Sequence, residues 1–179
     1  MLIYFVSDFF FCNFIWKLKK NNDVKITPKP TCAIAYSIQL LGDKWSFLIL
    51  RDLVIHKKTR FKELRESKEK IASNILANRL KSLQINGFIE KLDPTGTKKS
   101  TQYIATDKGI SSLPMIVELY LFSIHSIDES FLDESQLNIK KQIVSNRVLF
   151  EKTRRNDYIN HVNKLKNNLK EFKLLAQLN

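Results

Sequence analysis

Glycine and proline are scarce, with four of each in 179 residues. Gly42, Gly87, Gly96 and Gly109 are so dispersed that no glycine-rich loop able to cradle a phosphate can be assembled from them. Histidine is as sparse: His56, His125 and His161 lie far apart with no metal-ligand spacing, and Cys12 and Cys32 are isolated. The expectation is a protein that is not an enzyme, with no catalytic constellation, no metal site and no cofactor. Two cysteines in a basic chain without a secretion signal suggest a reducing cytoplasm and no structural disulfide.

Acidic residues are the next deficit, 18 against 30 basic, for a net charge of +12 that favours an anionic partner. Residues 1–30 carry 5 basic and 2 acidic groups, residues 31–127 carry 15 and 9, and residues 128–179 carry 10 and 7. Half the excess therefore sits in the central segment, although a Lys- and Asn-rich composition imposed by an AT-rich genome would also give a surplus. The first sixteen residues form a strongly apolar and aromatic run, where Phe5, Phe9, Phe10, Phe11, Phe14 and Trp16 are interrupted by Asp8 and Asn13. That run is short for a bilayer span, and it lacks the basic leader and small-residue cleavage site of a signal peptide. Three readings stand: a start assigned too far upstream, an amphipathic helix that packs on a dimer, or a membrane-surface anchor. Stable membrane association is not expected. The linker residues 19–23, with Pro28 and Pro30, separate this segment from the rest of the chain.

Residues 71–84 carry the strongest pattern. Leu76, Leu80 and Leu83 fall on one helical stripe, while Asn74, Ala77, Asn78 and Lys81 point the other way, and no carboxylate occurs on the segment. Amides pair with adenine edges, cations meet phosphates and small residues permit close approach, as a helix in a DNA major groove requires. An ordinary solvated helix face would have much the same composition. Asn86-Gly87 then stops the helix. Residues 88–91 and 101–105 read as strands joined by a turn at Asp93-Pro94-Thr95-Gly96-Thr97, with Lys98 and Lys99 at the tip. A recognition-type helix followed by a basic hairpin is the winged helix-turn-helix arrangement.

Upstream, residues 32–41 read as a helix closed by Gly42 in the left-handed conformation. Asp43 stands where an N-cap belongs for a broad apolar helix over residues 44–54. Thr59 and Lys62 have the spacing of a capping box before a short positioning helix, but Lys is not Glu. Downstream, residues 110–127 are apolar on nearly every side, which predicts burial against a second protomer through Ile116, Tyr120 and Ile124. In the tail, Tyr158, Val162, Leu165, Leu169, Phe172 and Ala176 form a heptad seam suited either to docking or to a short coiled coil.

Taken together, Cys32, Leu41-Gly42-Asp43-Lys44-Trp45, residues 48–53, Arg60-Phe61-Lys62-Glu63-Leu64, residues 71–80 and Tyr103-Ile104-Ala105-Thr106-Asp107-Lys108-Gly109 resemble the HxlR-type winged-helix regulators of bacteria and archaea. The resemblance spans roughly residues 32–127. It departs at Ala33, where a proline commonly follows the cysteine, and at Ala72, where Ser or Thr usually precedes the recognition helix; Ser73 is a displaced cap candidate. The resemblance implies a mainly α fold with a small β-hairpin, namely a winged helix-turn-helix with additional N- and C-terminal dimerisation helices. It also implies a homodimer, without catalytic residues, that pairs through its first and last domain helices.

The division expected is an apolar extension and linker over residues 1–30, the winged domain over 31–127 and a helical extension over 128–179. The expected function is sequence-specific binding of double-stranded DNA at a pseudo-palindromic operator, as a repressor of transcription. Candidate DNA contacts are Arg60, Ser73, Asn74, Ala77, Asn78, Arg79, Lys81, Lys98 and Lys99. Cys32 is a candidate redox sensor for an oxidant or small electrophile, since a helix N-terminus favours a thiolate; a small apolar residue packed at the dimer seam is the competing reading. The alternatives to this function are a MarR-like regulator responsive to a small ligand and a membrane-surface or assembly protein using the aromatic N-terminus and heptad tail.

Overall fold

The computed structural model describes residues 32–97 and 100–177. Helix α1 (Ala33–Leu41) starts at Cys32, whose Sγ accepts the Ala35 N–H at 3.3 Å. It ends at Gly42 with φ −71°, so the expected left-handed cap is absent. Glycine is required there by proximity instead, because a Cβ would fall 2.2 Å from the Ile38 carbonyl oxygen. Helix α2 (Lys44–Val54) is capped by the Asp43 carboxylate, which accepts the Trp45 and Ser46 N–H groups at 3.0 Å each. Its residues Ile49, Leu50, Leu53 and Val54 are buried at the centre of the core.

Helix α3 (Phe61–Arg65) does use a capping box, but one residue later than the Thr59 and Lys62 spacing suggested: Glu63 Oε2 accepts the N–H groups of Thr59 and Arg60 at 2.8 and 2.9 Å. Helix α4 (Ser73–Ile85) buries Leu76, Leu80 and Leu83. Its N-cap is Ala72, with no side-chain cap, so Ser73 is the first helical residue and not a displaced cap. Strands β1 (Ile89–Lys91) and β2 (Tyr103–Ala105) pair antiparallel in the register Ile89↔Ala105, Glu90↔Ile104 and Lys91↔Tyr103. Between them Asp93 Oδ1 accepts from the Thr95 N–H and hydroxyl at 3.0 and 2.7 Å, closing an Asx-type turn.

The long apolar stretch is two helices, α5 (Asp107–Ile110) and α6 (Leu113–Ile124). Gly109 permits their approach to the sheet, since a Cβ there would lie 2.1 Å from the Phe88 carbonyl oxygen. One face of α6, carrying Leu113, Ile116, Val117 and Ile124, is buried within the protomer, and Tyr120 is half-buried with its hydroxyl donating to the Gln136 carbonyl at 3.3 Å. Ile116 therefore serves the protomer's own core, and Ile124 is buried within the protomer. The exposed apolar positions of α6 are Met115, Leu119 and Phe122.

After a 3-10 turn (Glu129–Phe131), α7 (Glu134–Ser145) and α8 (Arg147–Gln177) complete the chain. At 31 residues α8 is about 46 Å long. Phe150, Tyr158 and Val162 of α8 are buried and Leu165 packs partly against the core, whereas Phe172 is exposed. The heptad seam thus begins by docking on its own domain. Tyr158 is fully buried, and its hydroxyl accepts the Ala105 N–H at 2.6 Å.

Tyr158→Phe would leave that N–H buried without an acceptor and is expected to cost about 1–3 kcal/mol of unfolding free energy, read as a lower denaturation midpoint. Burial also pushes the Tyr158 phenol up to about 12 from 10.0. Because the folded value lies above the unfolded one, this contribution is complete below pH of about 10 and is lost as pH rises towards 12. The stability gap between wild type and the Phe variant should narrow across that window, and a gap that does not change with pH would contradict the burial.

Candidate nucleic-acid interface

Helices α3 and α4 sit in succession across the loop that contains Glu69 and Lys70. A bidentate ion pair fixes this loop: Arg51 Nη1 and Nη2 of α2 donate to Glu69 Oε1 and Oε2 at 2.6 and 3.0 Å. Hydrogen bonding from Arg51 holds the Glu69 carboxyl down at about 2. Arg51 also reaches Asp52, a buried carboxylate whose other oxygen accepts from Lys58 Nζ at 2.6 Å. Every charge around the buried Asp52 is thereby paired, as burial of a carboxylate demands. The start of α4 is tied to the central helix through this network.

The buried leucines of α4 leave Ser73, Asn74, Ala77, Asn78 and Lys81 exposed, on turns that place them along one side of the helix. No carboxylate lies on α4. Arg79 does not join them: its guanidinium turns back to the N-cap of α2, with Nη1 at 3.4 Å from Asp43 Oδ2, and its Nε is buried without a hydrogen-bond partner. The step of about 100° between consecutive helical residues puts position 79 on the flank facing α2. Arg60 is exposed at the N-cap of α3, and its backbone bridges to Gln102 beside β2. The wing is present as β1 and β2, while Lys98 and Lys99 lie outside the described residues, as does Cys12 with the rest of residues 1–31.

Cys32 is exposed at the base of α1. Around α1, residues Ile34 and Ile38 are 72% and 62% exposed, and with Ala33, Ser37, Gly42, Phe47 and Met115 they line an open apolar groove of about 310 Å³. Phe122 of α6 is 86% exposed. Ile34, Tyr36, Ile38, Met115, Leu119 and Phe122, not Ile116 and Ile124, are thus the large apolar residues of α1 and α6 available to a partner.

Several positioning contacts carry no local signal in the sequence. Thr59, whose carbonyl accepts the Tyr103 N–H at 2.7 Å, and Gln102, whose Nε2 donates to the Thr59 hydroxyl at 3.1 Å, fasten the wing to the segment before α3. Lys166 of α8 lies 3.6 Å from Glu90, and Lys173 lies 2.9 Å from Asp93. Pairs separated by 76 and 80 positions have no local pattern by which they could be found. Among the described residues, no helix is long and apolar enough to cross a membrane, and no group of His, Cys, Asp and Glu is placed to hold a metal ion.

Comparison with known proteins agrees with this geometry. Residues 40–131 match the HxlR-like helix-turn-helix family. The uncharacterised HTH-type transcriptional regulator YdzF of Bacillus subtilis strain 168 is 33% identical over 84 residues, covering 47% of this chain and 77% of YdzF. The HTH-type transcriptional regulator YodB of the same organism is 34% identical over 83 residues, covering 46% of this chain and 73% of YodB. Among solved structures, that of PA1607, a proposed transcription factor, superposes with a TM-score of 0.50 at 31% identity, over 56% of this chain and 68% of that one. The chain belongs to the HxlR-like helix-turn-helix family of transcriptional regulators.

Proposed function

We propose that the chain is a cytoplasmic, homodimeric repressor that binds a pseudo-palindromic operator, each protomer placing α4 in one major groove. The observation that carries this reading is the exposed side of α4, where Ser73, Asn74, Ala77, Asn78 and Lys81 stand together without a carboxylate. Asn74 and Asn78 offer amides to base edges, Ala77 leaves room for close approach, and Lys81 and Arg60 offer charge to phosphates. Lys98 and Lys99 would add backbone contacts at the wing. The dimer would be built on the exposed apolar residues of α1 and α6, since Ile34, Ile38, Leu119 and Phe122 would otherwise remain in water. Two protomers so joined must present their α4 helices about 34 Å apart to reach successive major grooves on one face of the duplex.

Cys32 gives this reading a route of control. Its sulfur is both exposed and the cap of α1, so oxidation or alkylation would remove the acceptor for Ala35 N–H and place a bulky group beside Ile34 and Ile38. Any change in α1 at the dimer seam alters the spacing of the two α4 helices. A small apolar ligand in the groove between α1 and α6 would act on the same residues, which is the form a MarR-like mechanism would take here.

Three measurements test the reading. With duplexes selected by the purified protein, Asn78→Ala should cost about 1–3 kcal/mol at one operator position. Lys81→Ala should weaken all sequences alike and lower the salt slope by about 0.9; wild-type selectivity in both variants would refute the placement of α4. Phe122→Asp should keep the folded protomer yet sediment as a monomer, whereas Ile116→Asp should unfold the protomer by burying a charge; a wild-type chain that is already monomeric at micromolar concentration would exclude the dimer. Cys32→Ser should bind the operator and keep it in the presence of diamide or a quinone that releases wild type. Equal release from both proteins would move the inducer site away from Cys32.

A further inference from the structure

Strand β1 and the turn after it bring two carboxylates to the wing, Glu90 and Asp93. A wing that approaches a duplex with free carboxylates repels the phosphates it must meet. Both are occupied from outside the family module, by the C-terminal half of α8. Lys166 Nζ lies 3.6 Å from Glu90 Oε1, and Lys173 Nζ lies 2.9 Å from Asp93 Oδ1 and 3.2 Å from the Thr95 hydroxyl.

The two lysines stand seven residues apart on one side of α8 and meet the hairpin at Glu90 and Asp93, while the buried contact of Tyr158 with Ala105 anchors α8 at the base of the wing. Lys170 falls on the same stripe, at i+4 from Lys166 and i−3 from Lys173. It is exposed and makes no ion pair among the described residues.

We propose that α8 forms a composite wing with the hairpin: Lys166 and Lys173 neutralise its carboxylates, and Lys170 binds a phosphate of the duplex beyond the site read by α4. The occupant is nucleic-acid backbone, because the stripe is cationic and the carboxylates beside it on the hairpin are paired with Lys166 and Lys173. Lys173 and the Thr95 groups hold the Asp93 carboxyl down at about 2, so it faces Lys173 as a carboxylate. Residues 166–173 lie outside the 40–131 match, so this surface is particular to the extension of the chain. The proposal rests on the DNA-binding reading of α4.

The test uses the full chain and its selected duplex, with Lys170→Gln, Lys173→Gln, Asp93→Asn and the Lys173→Gln/Asp93→Asn pair. Lys170→Gln should reduce the slope of log affinity against log salt by about 0.9 without changing the preferred sequence. Lys173→Gln should weaken binding about three- to fivefold by uncovering Asp93, and adding Asp93→Asn should restore it. An unchanged slope for Lys170→Gln overturns the phosphate contact. A loss in Lys173→Gln that Asp93→Asn does not recover, or no loss at all, overturns the neutralising role. Thermal melting of each variant separates these effects from unfolding. A wild-type chain with no duplex preference, unaffected by Lys81→Ala, would overturn the DNA reading as well; failure of the composite wing alone leaves selective, Lys81-dependent binding intact.

Discussion

The outer edge of β2 is the constraint on which the arrangement turns. A two-stranded sheet leaves one side of each strand with unpaired backbone groups, and buried donors among them need acceptors. In β2 the N–H groups of Tyr103 and Ala105 point away from β1. The first is taken by the Thr59 carbonyl just before α3, and the second by the Tyr158 hydroxyl of α8. One edge therefore joins the helix-turn-helix at one end and the C-terminal extension at the other. The orientation of the wing relative to α3 and α4 follows from the first bond, and the path of α8 along the hairpin follows from the second.

Part of the chain's positive charge is paired within the protomer. Arg51 and Lys58 serve Asp52 and Glu69, Arg79 serves Asp43, Lys166 and Lys173 serve the wing, and Arg147 pairs with Glu118 and Glu151. Such pairing leaves the net charge unchanged but decides which cations are free to meet a polyanion, and their position matters more than their number. Lys81 is exposed on the leucine-free side of α4, where no carboxylate of the same helix competes for it. The Arg51–Glu69 pair matters for the same side by a different route, because it fixes the loop from which α4 departs.

Periodicity makes α4, its buried leucines and the hairpin legible in the sequence itself, since a 3.6-residue repeat and a Pro-Gly turn are local signals. The use to which single positions are put is not local, and there the sequence misleads. Arg79 reads as a DNA-facing cation but lies one helical step round from Asn78, against α2. Ile116 and Ile124 read as interface residues because α6 is apolar on both sides, and nothing local tells which side meets the protomer's own core. Glu63 outcompetes the Thr59–Lys62 spacing because a carboxylate can accept two N–H groups and a lysine can accept none. Gly42 is recognisable as a required glycine, but the requirement is contact with the Ile38 carbonyl and not a left-handed backbone.

The same partition decides which surface a dimer can use. Tyr158 and Val162 of the heptad seam are buried in the protomer, and Leu165 and Leu169 are partly covered, so of the large apolar seam residues Phe172 alone is exposed, with Leu174 and Leu175 beside it. That remainder is shorter than two heptads, less than an independent coiled coil needs. On α1 and α6, by contrast, Ile34, Ile38, Met115, Leu119 and Phe122 offer exposed apolar side chains that no part of the described protomer covers. The proposed association of two protomers accordingly belongs to α1 and α6, and α8 is left to the wing.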